Sequence, residues 1–196
     1  LLLCITFSAF PLLAMAEYVE PATLSNDNGS YDQSFGETET ESYSSTYQFE
    51  DALNLQDSLW DRVRDGFNMP DIDSDYTNKH EQWYASRPDY VSRMLERSKK
   101  YLYHIVVEVE KRGMPTEIAL LPMIESGFNP KALSTSKASG IWQFIPSTGK
   151  DFGLKQNYWK DSRKDVTAAT QAALNYLQKL YTMFGAWDRA LAAYNA

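Results

Sequence analysis

Between Tyr90 and Arg112 the apolar residues Val91, Met94, Leu95, Leu102, Ile105, Val106 and Val109 recur three, four and seven positions apart. That spacing gives a helix one apolar face and gives a strand none. A second run, VTAATQAALNYLQKLYTMF, sets Ala169, Ala173, Leu177, Leu180 and Phe184 on one face. Asp165 stands ahead of it as a cap and Gly185 behind it as a stop. No run alternates apolar and polar residues for long enough to make a half-buried strand. The chain is therefore predicted to be mainly α, with at most a short β element in the loop 133–144. LWDRVRDGFNMPDID and the closing WDRALAAYNA supply two further helices, and no internal repeat appears.

Between these stripes, Gly113 is expected to stop one helix and Met114-Pro115-Thr116-Glu117 to start the next. Proline is tolerated in a first turn, and a glutamate is favoured at the positive end of the helix dipole. This helix should be bent at Pro122, or lose one backbone hydrogen bond there, and be ended by Gly127, Asn129 and Pro130. It brings Glu125 directly after the apolar run ALLPMI. A carboxylate in apolar surroundings resists ionisation, so Glu125 is either a proton donor held for chemistry or a helix-end residue turned to water. The small polar stretch KALSTSKASG then reads as a loop, and Pro146-Ser147-Thr148 opens another short helix.

Charge divides the chain. Residues 1–16, LLLCITFSAFPLLAMA, carry none and end in the small-x-small pattern Ala14-Met15-Ala16. They read as a secretory signal, shorter than the about 20 apolar residues a membrane span needs. With neither an initiator Met nor a basic leader, the signal is expected to be truncated. Residues 17–57 hold ten acidic residues and no Lys or Arg, a composition that cannot bury enough apolar surface to order itself. They read as a disordered acidic linker. All 19 Lys and Arg but only 16 of the 26 acidic residues fall in 58–196, so this part carries about +3 although the whole chain carries -7. It is long enough for one sizeable core. No basic run points to nucleic acid. Cys4, the single cysteine, lies in the signal, which leaves the mature chain without disulfides or a thiol nucleophile.

The remaining chemistry is sparse. His80 and His104 are the two histidines, and His104 sits among Tyr103, Ile105 and Val106, where packing or solvent is its expected setting. No metal-ligand spacing, phosphate loop, dinucleotide fingerprint or Gly-x-Ser-x-Gly turn is present, so neither a metal nor a cofactor is expected.

Three motifs in order, PTEIALLP through ESGFNP (115–130), ASGIWQFIP (138–146) and Ala193-Tyr194-Asn195, resemble those of the bacterial lytic transglycosylases, glycoside hydrolase family 23 of goose-lysozyme type. Trp142 and the segment Trp159 to Asp165 are most similar to a membrane-bound branch of that family. The resemblance covers about residues 60–196. It implies a lysozyme-like α-helical catalytic domain over 58–196, incomplete at its C-terminus, beyond which LysM repeats could follow. The implied substrate is the peptidoglycan glycan strand and the implied place the periplasm or cell envelope of a bacterium, with association to the outer membrane left open.

The resemblance also implies the reaction and the residues that carry it. Glu125 would protonate the oxygen leaving in the MurNAc-GlcNAc bond, with the muramic N-acetyl group assisting. It would then take the proton of the sugar's own 6-hydroxyl, closing a 1,6-anhydro ring without water. Ser126 would be a hydrogen-bond partner beside Glu125, or a helix-end cap. Ser134 would approach the N-acetyl group, or bond its own loop. Gln143 would line the cleft and bond the sugar, Gly140 would allow a close backbone approach, Tyr194 would orient Glu125 through its hydroxyl or serve the core, and Asn195 would add a polar contact. Trp142 and Phe144 are expected to be packing. Two alternatives stand beside this reading. A hydrolysing muramidase on the same fold needs a second carboxylate, for which Asp151 is the nearest downstream. A non-catalytic wall-binding module has no need of the acid.

Overall fold

The computed structural model describes residues 58–196. The signal segment 1–16 and the acidic linker 17–57 lie outside them. The described part is a stack of helices: α1 (58–65), α2 (Asp75–Ala85), α3 (Pro88–Ser98), α4 (Leu102–Glu110), α5 (Leu121–Ser126), α6 (Pro146–Asp151), α7 (Val166–Phe184) and α8 (Trp187–Tyr194). Two 3-10 turns, Thr116–Leu120 and Ser162–Lys164, lead into α5 and α7. Among the described residues β structure is confined to isolated bridges, and two of them, Leu133 with Ser139 and Ser139 with Phe144, form the short β element of the 133–144 loop.

The core assembles around α4 and α7. Leu102, Ile105, Val106 and Val109 of α4 meet Ala169, Ala172, Ala173, Leu174 and Leu177 of α7, and all nine are buried. Asp165 caps α7 by accepting from the Ala168 amide at 3.1 Å, and Gly185 ends it in the left-handed conformation (φ 72°), as the sequence requires. Phe184 departs from the expected stripe. It lies in the last turn, past the reach of the core, and is exposed.

Two further expectations are corrected. The apolar stripe 90–112 is not one helix but two, α3 and α4, broken at 99–101. Lys99 and Lys100 at the break are exposed, so no core contact is lost there. Nor does Pro122 bend a single helix from 115: a 3-10 turn runs to Leu120, and Pro122 stands in the first turn of α5, where its missing amide proton costs nothing. The chain also forms α2, which the sequence reading left out. Ser74 caps it by accepting from the Thr77 amide, and Thr77 is its one buried residue.

Side chains fix the N-terminal helices to this frame. Thr116 donates to the Val63 carbonyl at 2.6 Å, and a Cβ at Gly66 would lie 2.4 Å from the Thr116 methyl, so glycine is required there. Arg62 pairs with Glu110, its Nε donating at 2.7 Å. Glu117, buried, accepts from the amides of Asn68 and Met69 at 2.8 Å each. It serves as a tie between segments rather than as a dipole-facing charge.

Candidate active site

Glu125 is the penultimate residue of α5, the short helix that Gly127 closes in the left-handed conformation (φ 57°). It is partly buried beside the apolar residues that precede it, and no hydrogen bond or ion pair reaches its carboxylate among the described residues. Burial alone pushes its pKa up to about 7. A carboxyl in this state holds a proton near neutral pH yet can release it, the property demanded of a group that acts first as acid and then as base.

Three elements meet at the loop beside it. Ser126 Oγ donates to the Ile141 carbonyl at 2.9 Å and lies 3.2 Å from the Pro122 carbonyl one turn back. Tyr194 Oη, from α8, donates to the next carbonyl along, that of Trp142, at 2.8 Å. Trp142 itself is fully buried and its indole N–H donates to Thr170 Oγ1 of α7 at 3.0 Å, so it is packing, as is buried Phe144. The tyrosine's proton is thus committed to a backbone carbonyl, leaving its oxygen free only to accept. Burial holds the Tyr194 hydroxyl well above the usual tyrosine range, and the Glu125 carboxylate and Tyr176 raise it further. Glu125 and Tyr194 therefore lie within electrostatic reach of each other. Behind Tyr194 run Phe144, Tyr176 and Phe152 in aromatic contact, which fixes the ring's position.

The loop 133–144 holds its shape by its own bonds. Ser134 Oγ accepts from the Ala138 amide at 3.0 Å and shares a hydrogen bond with Ser136. Gln143 Nε2 donates to the Gly140 carbonyl at 2.8 Å, leaving its amide oxygen for a ligand. Its backbone sits at φ 47°, and Phe128 and Lys137 are likewise positive (55° and 63°). Non-glycine residues in this region are strained, and strain of this kind gathers at functional sites. Asn195 caps α8, its Nδ2 donating to the Leu191 carbonyl at 3.2 Å, and is exposed. Of the expected site residues, Glu125, Ser126 and Tyr194 are brought to one place through the Ile141–Trp142 backbone. Ser134 and Asn195 are bonded within their own elements.

Two arginines support the site and were not picked out in the sequence. Arg163, almost fully buried, donates through Nη1 to the carbonyls of Lys137 (2.7 Å) and Phe144 (3.0 Å), the two shoulders of the Gln143 loop, while Asp161 accepts from its Nε and Nη2. The Asp-x-Arg spacing is the signal that could have flagged it, because a buried guanidinium needs a local carboxylate. Gly140 serves this contact: a Cβ there would stand 1.9 Å from the Arg163 carbonyl oxygen. Arg97 of α3 donates to the Gly127 carbonyl at 2.8 Å and steadies the end of α5. His104 is partly buried with no partner for Nε2, and Asp151 is exposed at the end of α6. Among the described residues no group of His, Asp and Glu is gathered in a way that could hold a metal ion.

The family described as the transglycosylase SLT domain matches residues 103–196, from α4 through α8. Membrane-bound lytic murein transglycosylase D of Escherichia coli (strain K12) is 44% identical over 139 residues, 70% of this chain and 31% of that protein, and its counterpart in Escherichia coli O6:H1 gives the same figures. A protein of Alteromonas sp. (strain M-1) named for tributyltin chloride resistance is 49% identical over 100 residues, 50% of this chain and 48% of that one. The chain thus spans under a third of the length of the transglycosylases it matches. A single raised carboxyl near the end of a short helix, which Ser126 ties to the Ile141 carbonyl, is set within a mainly α domain whose residues 103–196 match the transglycosylase SLT domain family.

Proposed function

We propose that the chain is a peptidoglycan lytic transglycosylase in which Glu125 is the sole acid and base. The observation that carries this reading is the Glu125 carboxyl, raised to about 7 by burial, with no second carboxylate contributing to the shift. Protonated Glu125 gives its proton to the glycosidic oxygen between MurNAc and GlcNAc as the bond to the anomeric carbon breaks. The carboxylate left behind takes the proton of the 6-hydroxyl, whose oxygen bonds the anomeric carbon. One C–O bond breaks, one forms, and the proton passes through Glu125 without net gain or loss.

Ser126 and Tyr194, by holding the Ile141–Trp142 backbone, position the loop that carries Gln143, whose amide oxygen is offered to a sugar hydroxyl or N-acetyl N–H. Ser134 and Asn195, bonded within their own elements, are assigned further polar contacts to the strand by the family resemblance alone. An inverting hydrolase would instead need a water-activating carboxylate about 6.5–9.5 Å from the acid. Asp151, the nearest downstream candidate, is exposed at the end of α6 and makes no contribution to the Glu125 shift. Residues 58–196 form the catalytic domain, preceded by the export signal and acidic linker, and the chain works in the cell envelope. Among the described residues no helix is long and apolar enough to cross a membrane. Digestion of peptidoglycan in ¹⁸O-labelled water tests the reaction type: transglycosylation leaves the new muramyl ends unlabelled, whereas labelled reducing ends contradict it.

A further inference from the structure

Tyr158 and Trp159 are each 90% exposed, whereas the next most exposed tryptophan, Trp83, is 42% exposed. Neither sits on a loose loop. Asn157 Oδ1 accepts from the amides of Trp159 (2.9 Å) and Lys160 (2.8 Å), and the Asn157 amide donates to the Lys160 carbonyl at 2.8 Å. Gln156 and Asp161 close the turn as a β-bridge. The base of the turn is fastened to the loop of Gln143: Gln156 Nε2 donates to the Pro146 carbonyl at 2.9 Å, and Arg163 spans from Asp161 to the Phe144 carbonyl. The two rings stand at 87° with centroids 4.9 Å apart, an edge-on contact that steadies them and leaves most of their faces open.

We propose that Tyr158 and Trp159 form a platform for the glycan strand outside the sugars held at Glu125. The proposal rests on the reading of the chain as a peptidoglycan enzyme. A sugar ring presents C–H hydrogens from one face, and these pack against the electron-rich face of an aromatic ring. A tyrosine and a tryptophan fixed in advance offer that face at little entropic cost. The exposed Lys155, Lys160 and Lys164 around the turn supply cations for the carboxylates of stem peptides on the same strand. Continuity with the Gln143 loop favours a strand over a bilayer, because two rings on a rigid turn bury too little apolar area to anchor a protein to lipid.

The test uses the full chain carrying Glu125→Gln, so that sacculi are not consumed, with and without Tyr158→Ala plus Trp159→Ala. Co-sedimentation with purified peptidoglycan sacculi should show affinity weakened about tenfold by the double change, equivalent to about 1.4 kcal/mol, with the melting temperature unchanged and Trp159→Phe retaining most of the affinity. Equal affinity with and without the double change, or no binding by either, overturns the platform. So does binding to anionic phosphatidylglycerol vesicles that the double change abolishes while sacculus binding persists. The two readings fail separately. If the Glu125 chain releases no muropeptides while platform-dependent binding remains, the enzymatic reading falls and the platform stands; release with platform-independent binding gives the reverse.

Discussion

Ser126 and Tyr194 donate hydrogen bonds to consecutive backbone carbonyls, those of Ile141 and Trp142. One comes from the helix that carries Glu125 and the other from the last helix of the domain, so the loop between them is clamped from both sides.

Replacing Tyr194 with Phe keeps the ring in its aromatic row but removes the bond to Trp142. Stability should fall by about 0.5–1.5 kcal/mol, the usual net value of one hydrogen bond. Turnover should fall further, by up to about 100-fold, since a small misplacement of the reacting groups acts mainly on the transition state. Steady-state kinetics beside thermal unfolding checks this: kcat drops and KM holds. Full turnover would make the hydroxyl a packing feature alone.

Gly140→Ala should be among the most damaging small substitutions in the domain. The added methyl would lie 1.9 Å from the Arg163 carbonyl oxygen, on a backbone at φ 82° that alanine adopts poorly. A loss beyond about 3 kcal/mol is expected, measured by denaturant unfolding. A mild loss would mean that the 138–144 loop and the 161–165 segment are not locked together.

Glu125 should depress stability as pH rises. Its folded pKa of about 7 stands above its ordinary value of 4.5, so the folded state binds the proton more tightly than the unfolded chain. The contribution is fully present below about pH 4.5 and is lost as pH climbs through 7. Glu125→Gln should therefore melt with the parent at pH 4.5 and above it at pH 8, by up to about 3 kcal/mol. Parallel melting curves across that range would contradict the burial of the carboxyl.

The same proton should appear in catalysis. Because Glu125 must be protonated to act as the acid, kcat/KM is expected to decline on the alkaline side with a midpoint near 7. A pH–rate profile flat to pH 9 would point to another donor.

Local signals were legible in the sequence and remote ones were not. The caps of α7 could be read because Asp165 and Gly185 act on their own helix. Glu125 stood out because an apolar run precedes it. The break at 99–101 was hidden, since the seven-residue step from Leu95 to Leu102 keeps helical spacing across it. α2 was missed because DYTNKHEQWYA buries only Thr77, and its one clear sign was the cap at Ser74. The acceptor of Ser126 lies fifteen residues on and is a backbone carbonyl, which no side-chain pattern encodes. The partners of Arg163 are likewise backbone carbonyls remote in sequence, at Lys137 and Phe144, which no side-chain pattern encodes.

The most direct test of Glu125 as the single acid and base is the mass of the muropeptides released from purified peptidoglycan by the full chain and by its Glu125→Gln variant. The parent should yield fragments ending in 1,6-anhydro-MurNAc, one water lighter than reducing ends, and the variant should release them at least about 100-fold more slowly while remaining folded. Near-parental release by the Gln variant, or reducing ends from the parent, would contradict the assignment.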